Sequence, residues 1–405
     1  MKTNRITAVW NTYSAAPHRV MFLGGALQAV FPLLWWLPEL ARRYGFIGDG
    51  GSAAAPWTHA FLLIYGFFPF FIFGFLFTTY PAWLNGPKVP RAWYVSAFLP
   101  LAAGVALFYG GLAVGKPLLL AGVALMLAGW GVALTALLRV FFAVAHPDKR
   151  HPAATSIALA LGWLGMAAYG AGLATDSPAL LNASWVAGIW LFLLPVFLVV
   201  SHRMIPFFSS CVLENYVMVR PYWLLWAMLA AAFGHGVLAL AGEGSYLWLC
   251  DLPLAAAALY LSYVWGFWRS FRVRLLAVLH VSFLWLGAAL VLYSLQGLLR
   301  LPLGLAPLHA LTIGYFSAMV IAMASRVTLG HSGRPLVADD VTWRLFLGFQ
   351  AAAAVRVAAD VPPLAGPASP YLYLASAAIW LVCFIPWAVK YGPMYWRPRV
   401  DGKSG

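Results

Sequence analysis

Residues 116–139 read KPLLLAGVALMLAGWGVALTALLR, 22 consecutive uncharged residues held between Lys116 and Arg139. A bilayer core about 30 Å thick is crossed by about 20 apolar residues in a helix, so this stretch predicts a transmembrane span. Working outward, the same pattern recurs along the chain, bounded each time by charge, Pro or Gly. The expected spans are 19–40, 58–80, 92–112, 117–141, 153–174, 184–203, 222–241, 246–267, 275–298, 307–328, 341–359 and 371–390. Twelve spans in 405 residues leave about 34 residues for each span with its loop. No soluble domain fits in what remains. The expectation is an all-α polytopic membrane protein, one transmembrane domain over 1–405 with short tails at 1–18 and 391–405.

Composition points the same way. The chain is 63% hydrophobic and 9% charged, against about 25% charged residues in soluble domains. With 20 Trp, 18 Tyr and 27 Phe it holds too much apolar surface to stay disordered. Three cysteines, Cys211, Cys250 and Cys383, are too scattered for a disulfide framework or a thiolate metal site.

The net charge of +14 becomes informative once it is sorted by side. The amino terminus, the loops after even-numbered spans and the carboxyl tail carry 20 of the 25 Lys and Arg, from Lys2 and Arg19 through Arg203, Arg326 and Arg334 to Lys403. The other side carries five: Arg42, Arg43, Lys116, Arg300 and Arg356. This bias predicts cytoplasmic termini by the positive-inside rule. It also excludes nucleic acid as a partner, because the cations are spread over seven short segments. The first 17 residues hold no apolar run, so no cleaved signal peptide is expected. A bacterial inner membrane is the expected location.

Orientation turns the nine histidines into a depth map. His59 and His309 open spans 2 and 10 at the outer face, and His235 lies in the outer half of span 7. His18, His202 and His331 lie near the inner face; His280 sits about 9 Å inward from Arg274 at 1.5 Å per residue. His146 and His151, in the basic string AHPDKRHP, read as solvated loop residues. Ionisable groups within spans are expensive and commonly functional, and imidazole is a common ligand for haem iron, copper and zinc. A histidine that merely bonds a neighbouring helix is an equal alternative for any one of them.

Two stretches stand out. In span 10, His309, Thr312, Phe316, Met319, Met323 and Arg326 recur at steps of three and four and share a helix face. The turn GHSGRP that follows offers His331 and Arg334 to an anionic cofactor edge. After span 6, SHRMIPFF places His202 and Arg203 before a helix-breaking Pro206. The pair His59-Ala60 and His309-Ala310 is an echo eight spans apart, from which no six-plus-six repeat follows.

These strings resemble a known family. LHALTIG with SRVTLGHSGRPL is similar to the signature of the NnrS family, haem- and copper-containing bacterial membrane proteins linked to nitric oxide and denitrification. HRMIPFF, VLHVSFLW and KYGPMYWRPR resemble its other characteristic segments, and the likeness extends over all twelve spans. The resemblance implies haem b, with copper as the further candidate, and His280, His309 and His331 as the family's histidines beside Arg326 and Arg334. Where the family commonly shows a second His and a Glu on span 2, Phe61 and Leu62 stand here, which leaves His59 alone.

The resulting expectation is a haem-binding protein of the nitric oxide response. One site would lie at the outer face on His59 and His309. Another would lie at the inner face on His280 and His331, with His202 or His18 nearby. Nitric oxide or another small diatomic is the implied ligand, and the bilayer is the surrounding partner. Whether the iron turns the ligand over as an oxidoreductase, and which electron donor it has, is not legible. Two alternatives stand beside this one. The first is a twelve-span secondary transporter with His-linked proton coupling. The second is an NO- or oxygen-reducing enzyme of the haem–copper type, whose several-His binuclear centre the spans do not display.

Overall fold

The computed structural model describes residues 5–48, 50–52 and 54–403; Lys2, counted above among the terminal cations, lies outside them. Among the described residues every regular element is helical. Eleven helices are long and apolar enough to cross a membrane, from Pro17–Arg43 to Pro362–Trp396. The expected span at 341–359 also forms, as the 20-residue helix Asp340–Ala359, but Arg344, Gln350 and Arg356 dilute its apolarity. It still traverses the bundle. At its start Asp340 meets Arg274 at 2.7 Å and Asp339 bonds Lys390. At its finish Arg356 pairs with Asp360 at 2.5 Å, beside Tyr373 and within reach of the cavity that His59 and His309 line.

An even number of traverses brings both termini to one end of the bundle. There Arg19 Nη1 donates to the Arg397 carbonyl at 2.9 Å, and Arg399 Nη1 donates to the His331 carbonyl at 3.1 Å. We call this the terminal end and the opposite one the far end.

Three helices form the axis: Ala55–Trp83 (span 2), Pro178–Ser210 (span 6) and Ala306–His331 (span 10). Between 78 and 89% of each apolar window is buried inside the protein, against 67% or less for the other eight of the eleven long apolar helices. Each axial helix opens on a proline and then widens into a π-helical segment: Leu62–Phe67, Ala187–Leu193 and Ala310–Ser317. In spans 2 and 6 the cause is local. Pro69 and Pro195 follow two residues after the segment and have no N–H for the regular ladder. Span 10 has no such proline; instead Ser317 Oγ donates to the Thr312 carbonyl at 2.8 Å and enters the ladder from the side.

The echo between spans 2 and 10 therefore has a structural basis. It is two steps of four spans, with span 6 between them. Counting back eight residues from Phe67, Leu193 and Ser317 reaches His59, Trp185 and His309 in turn. Close approach of these helices needs small residues: a Cβ on Gly188 would stand 2.6 Å from Ile64 Cγ2. Tyr65 then donates across the same contact to the Ser184 carbonyl at 2.8 Å. Near mid-bundle Phe68, Phe197 and Phe316, one from each axial helix, meet with centroids 4.8 to 6.0 Å apart, the offset and edge-to-face range that aromatic rings prefer.

Candidate functional site

At the far end the axial helices splay around a cavity of about 380 Å³, within the range of small-molecule and cofactor pockets. His59, Trp185 and His309 line it together, with Trp36, Arg356 and Tyr373. Each imidazole is fixed by a different device. His309 Nδ1–H donates to the Leu305 carbonyl at 3.0 Å, one turn back, which leaves Nε2 as the lone-pair nitrogen. Backbone anchoring of this kind sets the tautomer of metal-ligating histidines. His59 lies flat against Trp36, centroids 4.3 Å apart and planes 17° apart. Its buried Nδ1 has no hydrogen-bond partner among the described residues, a cost in a membrane interior. Arg356 supplies a cation on the same wall and is itself neutralised by Asp360. Phe61 and Leu62, at the positions where the family resemblance placed a second His and a Glu, are 1% exposed; Phe61 stacks on Tyr169 at 4.1 Å.

The terminal end holds more imidazoles but divides them. His331 meets His18, centroids 4.5 Å apart and tilted 43°. His280 shares a 3.0 Å hydrogen bond with Ser209. His202 bonds His151, Nδ1 to Nε2, at 3.0 Å. His280 and His331, expected to share an inner-face site, thus have different partners in Ser209 and His18, and no third ligand gathers with them among the described residues. Two imidazoles on opposite sides of one metal need nitrogens about 4 Å apart, at about 2 Å per bond. The His151 and His202 nitrogens are closer than that and bonded to each other. The His18 and His331 ring centres are also closer than the roughly 6 Å such a pair requires.

The reading of His151 as solvated is corrected: it is 1% exposed. It is the second residue of the helix Arg150–Thr175, and with Thr155, Ala158 and Gly162 it forms a buried stripe at helical spacing. That periodicity was available in the sequence, but the charged neighbours concealed it. Its surroundings form a latch. His202 Nε2–H donates to the Pro221 carbonyl at 3.3 Å, so its Nδ1 accepts from His151 Nε2–H. Tyr222 stands 3.2 Å from His151 Nδ1 and donates its hydroxyl proton to Asp148 at 2.6 Å. Hydrogen bonds from Arg150 and from Tyr222 hold the Asp148 carboxyl well below the usual carboxylate range. Arg203 sits over the Trp83 ring at 5.2 Å. His146 stays at the loop surface, its ring bonded to the Asp148 carbonyl at 2.9 Å.

Cations at this end are short of partners. Arg326, 7% exposed, lies over the Phe208 ring at 4.1 Å and makes no hydrogen bond or ion pair with a described residue. Arg19 Nε, Arg334 Nη1 and His18 Nδ1 are buried without a hydrogen-bond partner among the described residues. A feature the sequence reading passed over is a buried acid. His235 and Asp251 form a 2.6 Å pair, 3% and 1% exposed at their side chains, roofed by Trp190 stacked 3.3 Å from the imidazole. Asp251 stands one turn into its helix, after a run of uncharged residues, and its isolation there was the available signal.

Among the described residues no three His, Cys, Asp or Glu side chains gather as a metal cluster. Copper held by three or more such ligands therefore has no ready-made set there. Haem needs one or two axial imidazoles, and the far-end cavity supplies two from different helices.

The fold and this site define a polytopic helical membrane protein with a histidine-lined cavity between its central helices. The NnrS protein family model matches residues 12–399, nearly the whole chain, and the protein belongs to the NnrS family. No curated protein matches the chain.

Proposed function

We propose that this protein binds haem b at the far end, with His59 and His309 as the iron ligands, and acts in the nitric oxide response or denitrification by presenting that iron to nitric oxide or a similar diatomic. The observation that carries the reading is the pair itself: two imidazoles on separate central helices, facing one cavity, one with its tautomer set by a carbonyl and the other with a nitrogen left unpaired. Haem would supply a redox-active iron. The chain's own residues would hold its ligands in place and exclude water, with Trp36 bracing His59 and Arg356 offering a cation to a propionate. The terminal-end histidines are assigned no haem, since their present spacing suits hydrogen bonds and ring contacts. The 20-to-5 distribution of Lys and Arg supports a bacterial inner membrane with the terminal end cytoplasmic.

A reduced-minus-oxidised absorption spectrum of the purified protein, with and without NO, tests the reading alongside iron and copper per chain. A haem b spectrum shifted by NO is expected. Absence of a Soret band from haem-replete cells would overturn it.

A second reading, a transporter with His-linked proton coupling, is favoured by one observation, the buried His235–Asp251 pair. Proteoliposomes report on it directly: proton movement lost in Asp251→Asn with haem content unchanged would support it over the first.

A further inference from the structure

Beneath the Phe68–Phe197–Phe316 cluster a second, smaller cavity of about 50 Å³ lies on the bundle axis. Spans 1, 2, 6 and 10 line it with Phe22, Phe75, Val196, Met319, Val320 and Ala324 among its walls, each 7% exposed or less. Every lining side chain is apolar, and the surrounding backbone is helical and internally bonded. Phe68 belongs to the far-end cavity and Phe197 to this one, so a single layer of rings separates the two. On the other side the cavity approaches the terminal end. Phe22 meets His18 edge-on at 6.1 Å, and Met323 stands one turn before Arg326.

Protein interiors pack closely, and voids of this size are few. Water is a poor occupant, because a buried water needs two to four polar partners and these walls offer none. At about 50 Å³ the space is well below the roughly 150 Å³ that holds an aromatic solute. The space and its chemistry suit a neutral apolar molecule of two or three atoms. Two of the walls are Met side chains, whose unbranched stems adapt to a passing solute, and Phe197, the ring of the cluster that lines the cavity, meets Phe68 edge-on and Phe316 at a tilt of 41°.

We propose that this cavity is a binding site for a neutral diatomic gas, a waystation from which the gas passes the ring layer to the far-end cavity. Occupancy follows from the cavity alone. Delivery to iron rests on the haem reading above, and the test keeps the two apart.

Xenon is the probe. The purified full-length protein, reconstituted with haem and separately as His309→Ala, is examined by xenon-pressurised crystallography or 129Xe NMR. One xenon bound between Phe75, Val196 and Met319 is expected in both proteins, since binding does not require the iron. Ala324→Leu, which fills the space, should abolish it. Val196→Ile should weaken it and serves if the larger substitution fails to fold. No xenon in the wild type, or xenon unchanged in both filling variants, overturns the site. For delivery, NO association to reduced haem is followed after flash photolysis. Slower association in Ala324→Leu and faster association in Phe197→Ala, each several-fold, are expected. Rates equal to wild type in both, with xenon still bound in the wild type, would overturn delivery while leaving the haem reading intact.

Discussion

The two ends of the bundle are built from the same residue type and differ in what the imidazoles are free to do. Besides the loop residue His146, the terminal end carries five buried or half-buried histidines, and all five meet another ring or a hydroxyl: His151 with His202, His331 with His18, and His280 with Ser209. His18, though it touches His331, keeps an unpaired nitrogen. The far end carries only His59 and His309 on its cavity, yet it has about 380 Å³ of space between them and their neighbours. Histidine count is therefore a poor guide to where a cofactor fits; space and unpaired lone pairs decide. The cost structure differs as well. At the terminal end, losing one member strands its partner. At the far end, a lost ligand leaves the protein's own bonding largely undisturbed.

The largest effect expected is the asymmetry in cofactor binding. His309→Ala and His59→Ala should each lose the far-end haem while His280→Ala and His331→Ala retain it, measured as pyridine haemochrome per chain. Equal losses at both ends would erase the contrast.

Next comes the buried pair on the side wall. Asp251→Leu leaves His235 without its partner in a dry environment and should cost about 3–5 kcal/mol, with haem content unchanged in whatever remains folded. Denaturant titration in detergent reads it. A loss under about 1 kcal/mol would mean the pair is not desolvated.

The terminal latch gives a smaller change. His202→Phe strands His151 Nε2–H and the Pro221 carbonyl, for about 1–3 kcal/mol, again without loss of haem. If haem disappeared with it, the two ends would be coupled and the distinction drawn here would fail.

The smallest concerns Asp339, whose side chain accepts from Thr342 N–H at the start of Asp340–Ala359. Burial would raise its carboxyl, but hydrogen bonds from Lys390 and Thr342 outweigh that and hold it at about 2. A depressed carboxyl contributes stability above its unfolded value, lost only as pH falls through the folded one. Melting temperature should thus show no Asp339-linked drop between pH 8 and pH 5. Asp339→Ala should cost about 1 kcal/mol as a lost helix cap, while Asp339→Asn keeps most of the cap.

The spans were legible because charge interrupts hydropathy at the membrane edges, and even the marginal helix Asp340–Ala359 obeys the parity that the cation count demanded. Its ends are where Arg274, Lys390 and Asp360 place them. The placement of His59 and His309 together at one end of the bundle was likewise readable as depth along a helix. What was hidden is lateral. Nothing in a helical period says that His331 turns to His18 or that His280 turns to Ser209, since those contacts depend on how the helices are rotated against one another. The π-helical segments were half visible, announced by Pro69 and Pro195 in two helices and by nothing comparable in span 10, where Ser317 does the work through its side chain. The string AHPDKRHP misled by composition: Lys149 is half-buried and Arg150 exposed, but His151 is already inside the next helix.

The most direct test of the central claim is iron and haem per chain in His59→Ala and His309→Ala beside His331→Ala, all purified from haem-replete cells. Haem lost from the first two and kept at wild-type level in the third is the result this account predicts. Haem kept in both far-end variants, or lost only from His331→Ala, would contradict it.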